Sequence, residues 1–155
     1  MKKIFLICTL VVLSFNGFSQ TCEEREPTML TMIGGISAGM IYNTYQLINS
    51  VKEGFSNKIY SNNQVEKLMN SQRGMIDYLT KSMDSAIQKN TFIHNDDKEY
   101  VNSMVDILMG LFQQATLMID LSANNNTSNA DKYEKQRKIN WDKISNILGF
   151  HDDDN

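Results

Sequence analysis

The stretch "VNSMVDILMGLFQQATLMIDLSA", Val101 to Ala123, decides how the rest of the chain is read. Val101, Met104, Val105, Leu108, Leu111, Phe112, Ala115, Met118 and Ile119 recur every three or four residues, the period of one helix face. The chain has no run of alternating β-branched residues, a single proline at Pro27 and ten methionines, a balance that favours helices over sheet. The apolar stretch is therefore expected to be the most hydrophobic helix of an all-α domain.

Moving outward, "NTFIHNDD" (90–97) is a polar break in which Asn95, Asp96 and Asp97 offer capping oxygens and negative charge to a helix start. A helix before it opens at "SNNQ", Ser61 to Gln64, which has the serine-x-x-glutamine form of a capping box. It runs to about Lys89 with Val65, Leu68, Gln72, Met75, Leu79 and Ala86 inward, flanked by Met69, Ile76 and Met83. The first helix is expected from Thr28, just after Pro27, with Ile33, Ile36, Met40, Leu47 and Val51 on one row and Ile41, Ile48 and Phe55 on the next. Val51, Phe55 and Ile59 stay in phase, which favours continuation to Tyr60 over a stop at Gly54.

Downstream, "NNNTSN", Asn124 to Asn129, reads as a plain linker. The fourth helix turns Tyr133, Trp141, Ile144, Ile147 and Leu148 inward, and Gly149 followed by Phe150 reads as a left-handed, Schellman-type stop with Phe150 folding back toward Ile144. Helices of similar length joined by short breaks run antiparallel to their neighbours. The expected fold is all-α: an antiparallel up-down-up-down four-helix bundle over residues 28–150, after a flexible tail at 20–27 and before a disordered acidic tail at 151–155.

Residues 1–19 have the three parts of a cleaved secretory signal. Lys2 and Lys3 supply the positive start, and Ile4 to Phe15 is an apolar stretch shorter than the ~20 residues that span a bilayer. Gly17 and Ser19 are small enough for the −3 and −1 pockets of a signal peptidase, so cleavage after Ser19 leaves Gln20 as the new N-terminus. The expected location is periplasmic or secreted. Lipidation of Cys22 is the alternative, although Ser19, Gln20 and Thr21 before it suit that processing poorly.

Fifteen basic and 18 acidic side chains, with Lys2 and Lys3 leaving in the leader, make the remainder mildly acidic, which argues against nucleic-acid binding. Cys8 leaves too, so Cys22 has no intramolecular partner, and the adjacent Glu23 and Glu24 disfavour its thiolate.

The histidines are His94, in a loop, and His151, in the tail, so neither a di-iron Glu-x-x-His pair, nor a Cys-x-x-Cys-His haem site, nor a catalytic triad can be assembled. No catalytic, cofactor-binding or metal residue is assigned, no cofactor is expected, and the chain is read as not an enzyme. Met29 and Met32 in "MLTM" sit one turn apart, a spacing that suits copper(I), whereas most methionines are expected to fill the core. Asn43, Gln72, Gln113, Gln114 and Asn140, with Tyr45 and Trp141, could line a small pocket or else fix helix register. In "IGGISAGM", Gly35 and Gly39 cost helix stability, so close packing against another helix is expected there. No charge occurs between Pro27 and Val51, but Asn43, Gln46 and Asn49 argue against an integral membrane span. The resulting expectation is a non-enzymatic binding or structural accessory protein of the bacterial cell envelope, acting on a protein partner through a helix face. A small-ligand or copper(I) binder is the alternative, and a membrane-associated protein using the Gly-rich first helix comes third.

Overall fold

The described residues form four helices, α1 (Cys22–Ser56), α2 (Asn62–Gln88), α3 (Asn95–Ala123) and α4 (Thr127–Leu148), and no strand. The computed structural model describes residues 22–89, 91–92 and 94–150, with side chains from Thr28 onward. The expected leader at 1–19, the new terminus at Gln20 and the acidic tail at 151–155 lie outside the described residues. The chain divides into two compact units, Met1–Gly34 and Gly35–Asn155.

In the first unit, α1 is already helical at Cys22, so the stretch expected to be a flexible tail up to Pro27 belongs to the helix from Cys22 onward. Pro27 falls in the second turn of α1, where it lacks the N–H that would bond the Glu23 carbonyl. Met29, Met32 and Ile33 are exposed there.

In the second unit one apolar core draws on all four helices. Ile41, Tyr45, Ile48 and Val51 of α1 meet Val65, Met69 and Ile76 of α2, a long row on α3 from Met104 to Leu121, and Tyr133 and Ile144 of α4. Each such side chain contributes roughly 1.5–3 kcal/mol on leaving water. Helix α2 packs along α3, and α3 along α4. The α3 face matches its expected row closely, with Ile107, Gln114, Leu121 and Ser122 added.

Two other faces differ from expectation. On α1 the inward row is Ile41, Tyr45 and Ile48, while Ile36 and Leu47 are exposed. On α2 the row expected at the flank is central: Val65, Met69, Ile76 and Thr80 are buried, and Met75 is half exposed. Gly35 and Gly39 are exposed, and a Cβ on either would meet nothing within 4 Å. The close helix contact expected at these glycines is therefore absent among the described residues, because the core-facing row of α1 begins only at Ile41.

The helix ends are set by local chemistry. Helix α1 stops at Ser56, short of Tyr60. Lys58 adopts the left-handed conformation (φ 59°), and Ile59 and Lys58 N–H groups donate to the Gly54 and Phe55 carbonyls, a Schellman ending without glycine. Gly54 lies inside the helix, where the Tyr60 ring occupies the space a Cβ would need. At α2 the capping box forms as expected: Gln64 N–H donates to Ser61 Oγ, and Ser61 N–H donates to Gln64 Oε1. At α3, His94 is the N-cap and makes no side-chain cap bond, so Asp96 and Asp97 contribute charge rather than capping oxygens.

The asparagine run is shorter and better tied than a plain linker, since α4 starts at Thr127. Asn126 Oδ1 accepts the Asn129 N–H, and Asn129 Nδ2 donates back to the Asp120 and Asn124 carbonyls. The chain closes α4 as expected, with Gly149 at φ 67° and Phe150 N–H donating to the Ser145 carbonyl. Phe150 stacks on Trp141 at 6.4 Å and meets Tyr42 edge-on, and Trp141 also stacks on Tyr45 at 5.6 Å.

Candidate functional site

Helical spacing brings polar side chains from three helices into the core. On α4, Tyr133, Gln136, Arg137 and Asn140 recur at three- and four-residue intervals on one face. On α1, Tyr45, Asn49 and Lys52 do the same, and α3 presents Gln114 one turn after Gly110. Gln114 and Asn140 are fully buried, so each of their polar atoms needs a partner.

The partners are supplied within the protein. Gln114 Nε2 donates to Asn49 Oδ1 at 3.1 Å and to Tyr133 Oη at 3.3 Å, while the Tyr133 hydroxyl donates to the same Asn49 oxygen at 3.1 Å. Asn140 Nδ2 donates to Gln114 Oε1 at 2.7 Å and to the Gly110 carbonyl at 3.0 Å. Gln136 Nε2 completes the set by donating to Asn140 Oδ1 at 2.9 Å. Gly110 is required here, because a Cβ would overlap Asn140 Oδ1.

At the edge of this network sits a charged group. Arg137 Nε donates to Glu134 Oε2 at 2.6 Å, Arg137 Nη1 donates to Tyr45 Oη at 3.2 Å, and Lys52 Nζ lies 3.6 Å from Glu134 Oε1. Partial burial opposes ionisation of Glu134, but its hydrogen bond and attraction to Arg137, with help from Lys52, hold its carboxyl below the ordinary value. Burial pushes the Tyr133 phenol well above the usual tyrosine range, so it remains a donor.

Of the polar residues expected to line a pocket, the structure joins Gln114 and Asn140, stacks Tyr45 on Trp141, leaves Gln72 half-buried, and leaves Asn43 and Gln113 exposed. Asn49, Tyr133 and Gln136 belong to the same cluster, and their spacing on α1 and α4 was the available signal. Both hydrogens of Gln114 Nε2 and of Asn140 Nδ2 are used internally. The arrangement is suited to fixing how three helices register, not to holding a substrate.

The other candidates are dispersed. His94 stands at the N-cap position of α3 without a side-chain cap bond, His151 lies outside the described residues, and among the described residues no group of three or more His, Cys, Asp or Glu could hold a metal ion. Cys22 begins α1. Met29 and Met32 are 59% and 65% exposed. A surface concavity of about 480 Å³ lies where α1 turns into α2, lined by Phe55, Ile59, Tyr60, Ser61, Gln64 and Asn125 among others. Among the described residues one helix, α3, is long and apolar enough to cross a membrane, with a mean hydropathy of 1.3; it is also the helix that contributes most to the core. No family model matches the chain, and no curated protein or solved structure is significantly similar to it.

Proposed function

We propose that the chain is an exported, non-enzymatic accessory protein of the bacterial cell envelope, an up-down-up-down antiparallel bundle whose first helix docks a protein partner. The observation that carries this reading is the exposure of Met29, Met32 and Ile33 at 59%, 65% and 49%. Three large apolar side chains within a turn and a half of helix, in a stretch without charge, form the kind of patch that association covers. The buried polar cluster supports the same reading, because its groups bond to one another. Short connections at 57–61, 89–94 and 124–126 support the antiparallel order.

Capture from envelope extract tests the docking. The wild-type protein recovers a partner, and the triple variant Met29→Ser, Met32→Ser, Ile33→Ser loses it while keeping its helical circular dichroism. Equal recovery by both proteins refutes the proposal. Copper(I) binding is the second reading, favoured by two exposed thioethers one turn apart. The pair Met29→Leu, Met32→Leu keeps the apolar face and removes the sulfurs. Stoichiometric copper held by wild type and lost by this pair displaces the docking reading.

Export is tested by the intact mass of the protein recovered outside the cytoplasm. A chain beginning at Gln20 is expected. A mass that includes residues 1–19, or a diacylglyceryl group on Cys22, contradicts it.

A further inference from the structure

We infer that Met29 and Met32 form a paired oxidation site through which a peroxide weakens docking by α1, an inference that rests on the docking reading above. The methionines of this protein fall into separate classes. Met69, Met104 and Met118 are at most 1% exposed and sealed in the core, whereas Met29 and Met32 are 59% and 65% exposed. Met40 and Met83 are half-buried, and Met75 on α2 and Met109 on α3 are each the single exposed methionine of their helices. Met29 and Met32 share a face with Ile33 in a stretch without cysteine, histidine or charge, so their thioethers are its most readily oxidised groups.

The chemistry balances with hydrogen peroxide as the oxidant. A sulfur lone pair attacks one peroxide oxygen, an S–O bond forms and the O–O bond breaks. The departing hydroxide takes the remaining proton as water, so sulfur loses two electrons and peroxide gains them. Each thioether becomes a sulfoxide, a polar acceptor that methionine sulfoxide reductases can reverse. Two sulfoxides beside Ile33 would convert the apolar patch into one that must keep its water, opposing the burial that docking requires.

The test uses the full chain, hydrogen peroxide and peptide mapping by mass. Met29 and Met32 are expected to oxidise at least about tenfold faster than Met69, Met104 and Met118. Partner recovery by the oxidised wild type should fall to the level of the serine triple variant. Recovery by Met29→Leu, Met32→Leu should be insensitive to peroxide. Oxidation of Met29 and Met32 no faster than the core methionines overturns the site. Recovery unaffected by their oxidation overturns the consequence for docking, as does equal peroxide sensitivity of the leucine pair, which would place the effect at another oxidisable side chain. If the serine variant binds as well as wild type, the docking reading fails together with that consequence, and the relative rates alone decide whether the pair is an oxidation site.

Discussion

Replacing Gly110 by alanine sets two effects of opposite sign against each other. Alanine gains up to ~1 kcal/mol of helix propensity over glycine, so on local grounds the variant should be more stable. In the folded protein, however, the new methyl would occupy the position of Asn140 Oδ1. Asn140 is completely buried and cannot swing into water. Moving it weakens its bonds to the Gly110 carbonyl, to Gln114 Oε1 and from Gln136 Nε2. Each bond is worth about 1 kcal/mol net, and a buried amide left without a partner costs about 1–3 kcal/mol more. Partial relaxation recovers some of this, so a net loss of about 2–3 kcal/mol is expected. For a chain of this size that lowers Tm by about 4–12 °C. A thermal melt followed by circular dichroism measures it, and a Tm at or above wild type would refute the argument. Gly39→Ala is the counterpart: with nothing within 4 Å of its Cβ, it should stabilise the protein by up to ~1 kcal/mol.

Lys58 sits at φ 59°, a conformation that costs a non-glycine residue ~1 kcal/mol, so Lys58→Gly should raise the urea midpoint by about 0.5–1 kcal/mol equivalent. Because the folded-state pKa of Glu134 is depressed, its stabilising contribution is present above its unfolded pKa and is lost as pH falls through the folded value. Glu134→Gln should therefore be less stable than wild type near neutral pH and equal to it in strong acid; a stability gap that persists in acid would contradict the ion pairing.

The fold class was legible because α3 is apolar at helical spacing and because the Ser61/Gln64 and Gly149/Phe150 signals are local chemistry. The phase of α1 and α2 was not. Periodicity finds an apolar face but does not say how far along a helix the core extends, so Ile33 and Ile36 looked as inward as Ile41 and Ile48. Asn49 looked peripheral because a polar side chain reads as inward only once its partners are known. Those partners are distant: Asn49 meets Gln114 and Tyr133 across 65 and 84 residues. Gly110 gave no sign of its role for the same reason, since the group that needs its space lies 30 residues later. The asparagine run concealed a different signal, because Asn126 as an N-cap looks the same in sequence as Asn124 or Asn125 beside it.

The aromatic row at the end of α4 has a practical consequence. Trp141 is the chain's single tryptophan, and it stacks on both Tyr45 of α1 and Phe150 beyond the glycine stop. Its emission is thus a built-in reporter of two contacts, the seating of α1 on α4 and that of Phe150 on α4. When helical circular dichroism persists but the tryptophan band shifts to the red, one of these contacts has opened while the helices' own backbone bonds remain. A tag or truncation placed directly after Gly149 would disturb the same reporter by displacing Phe150.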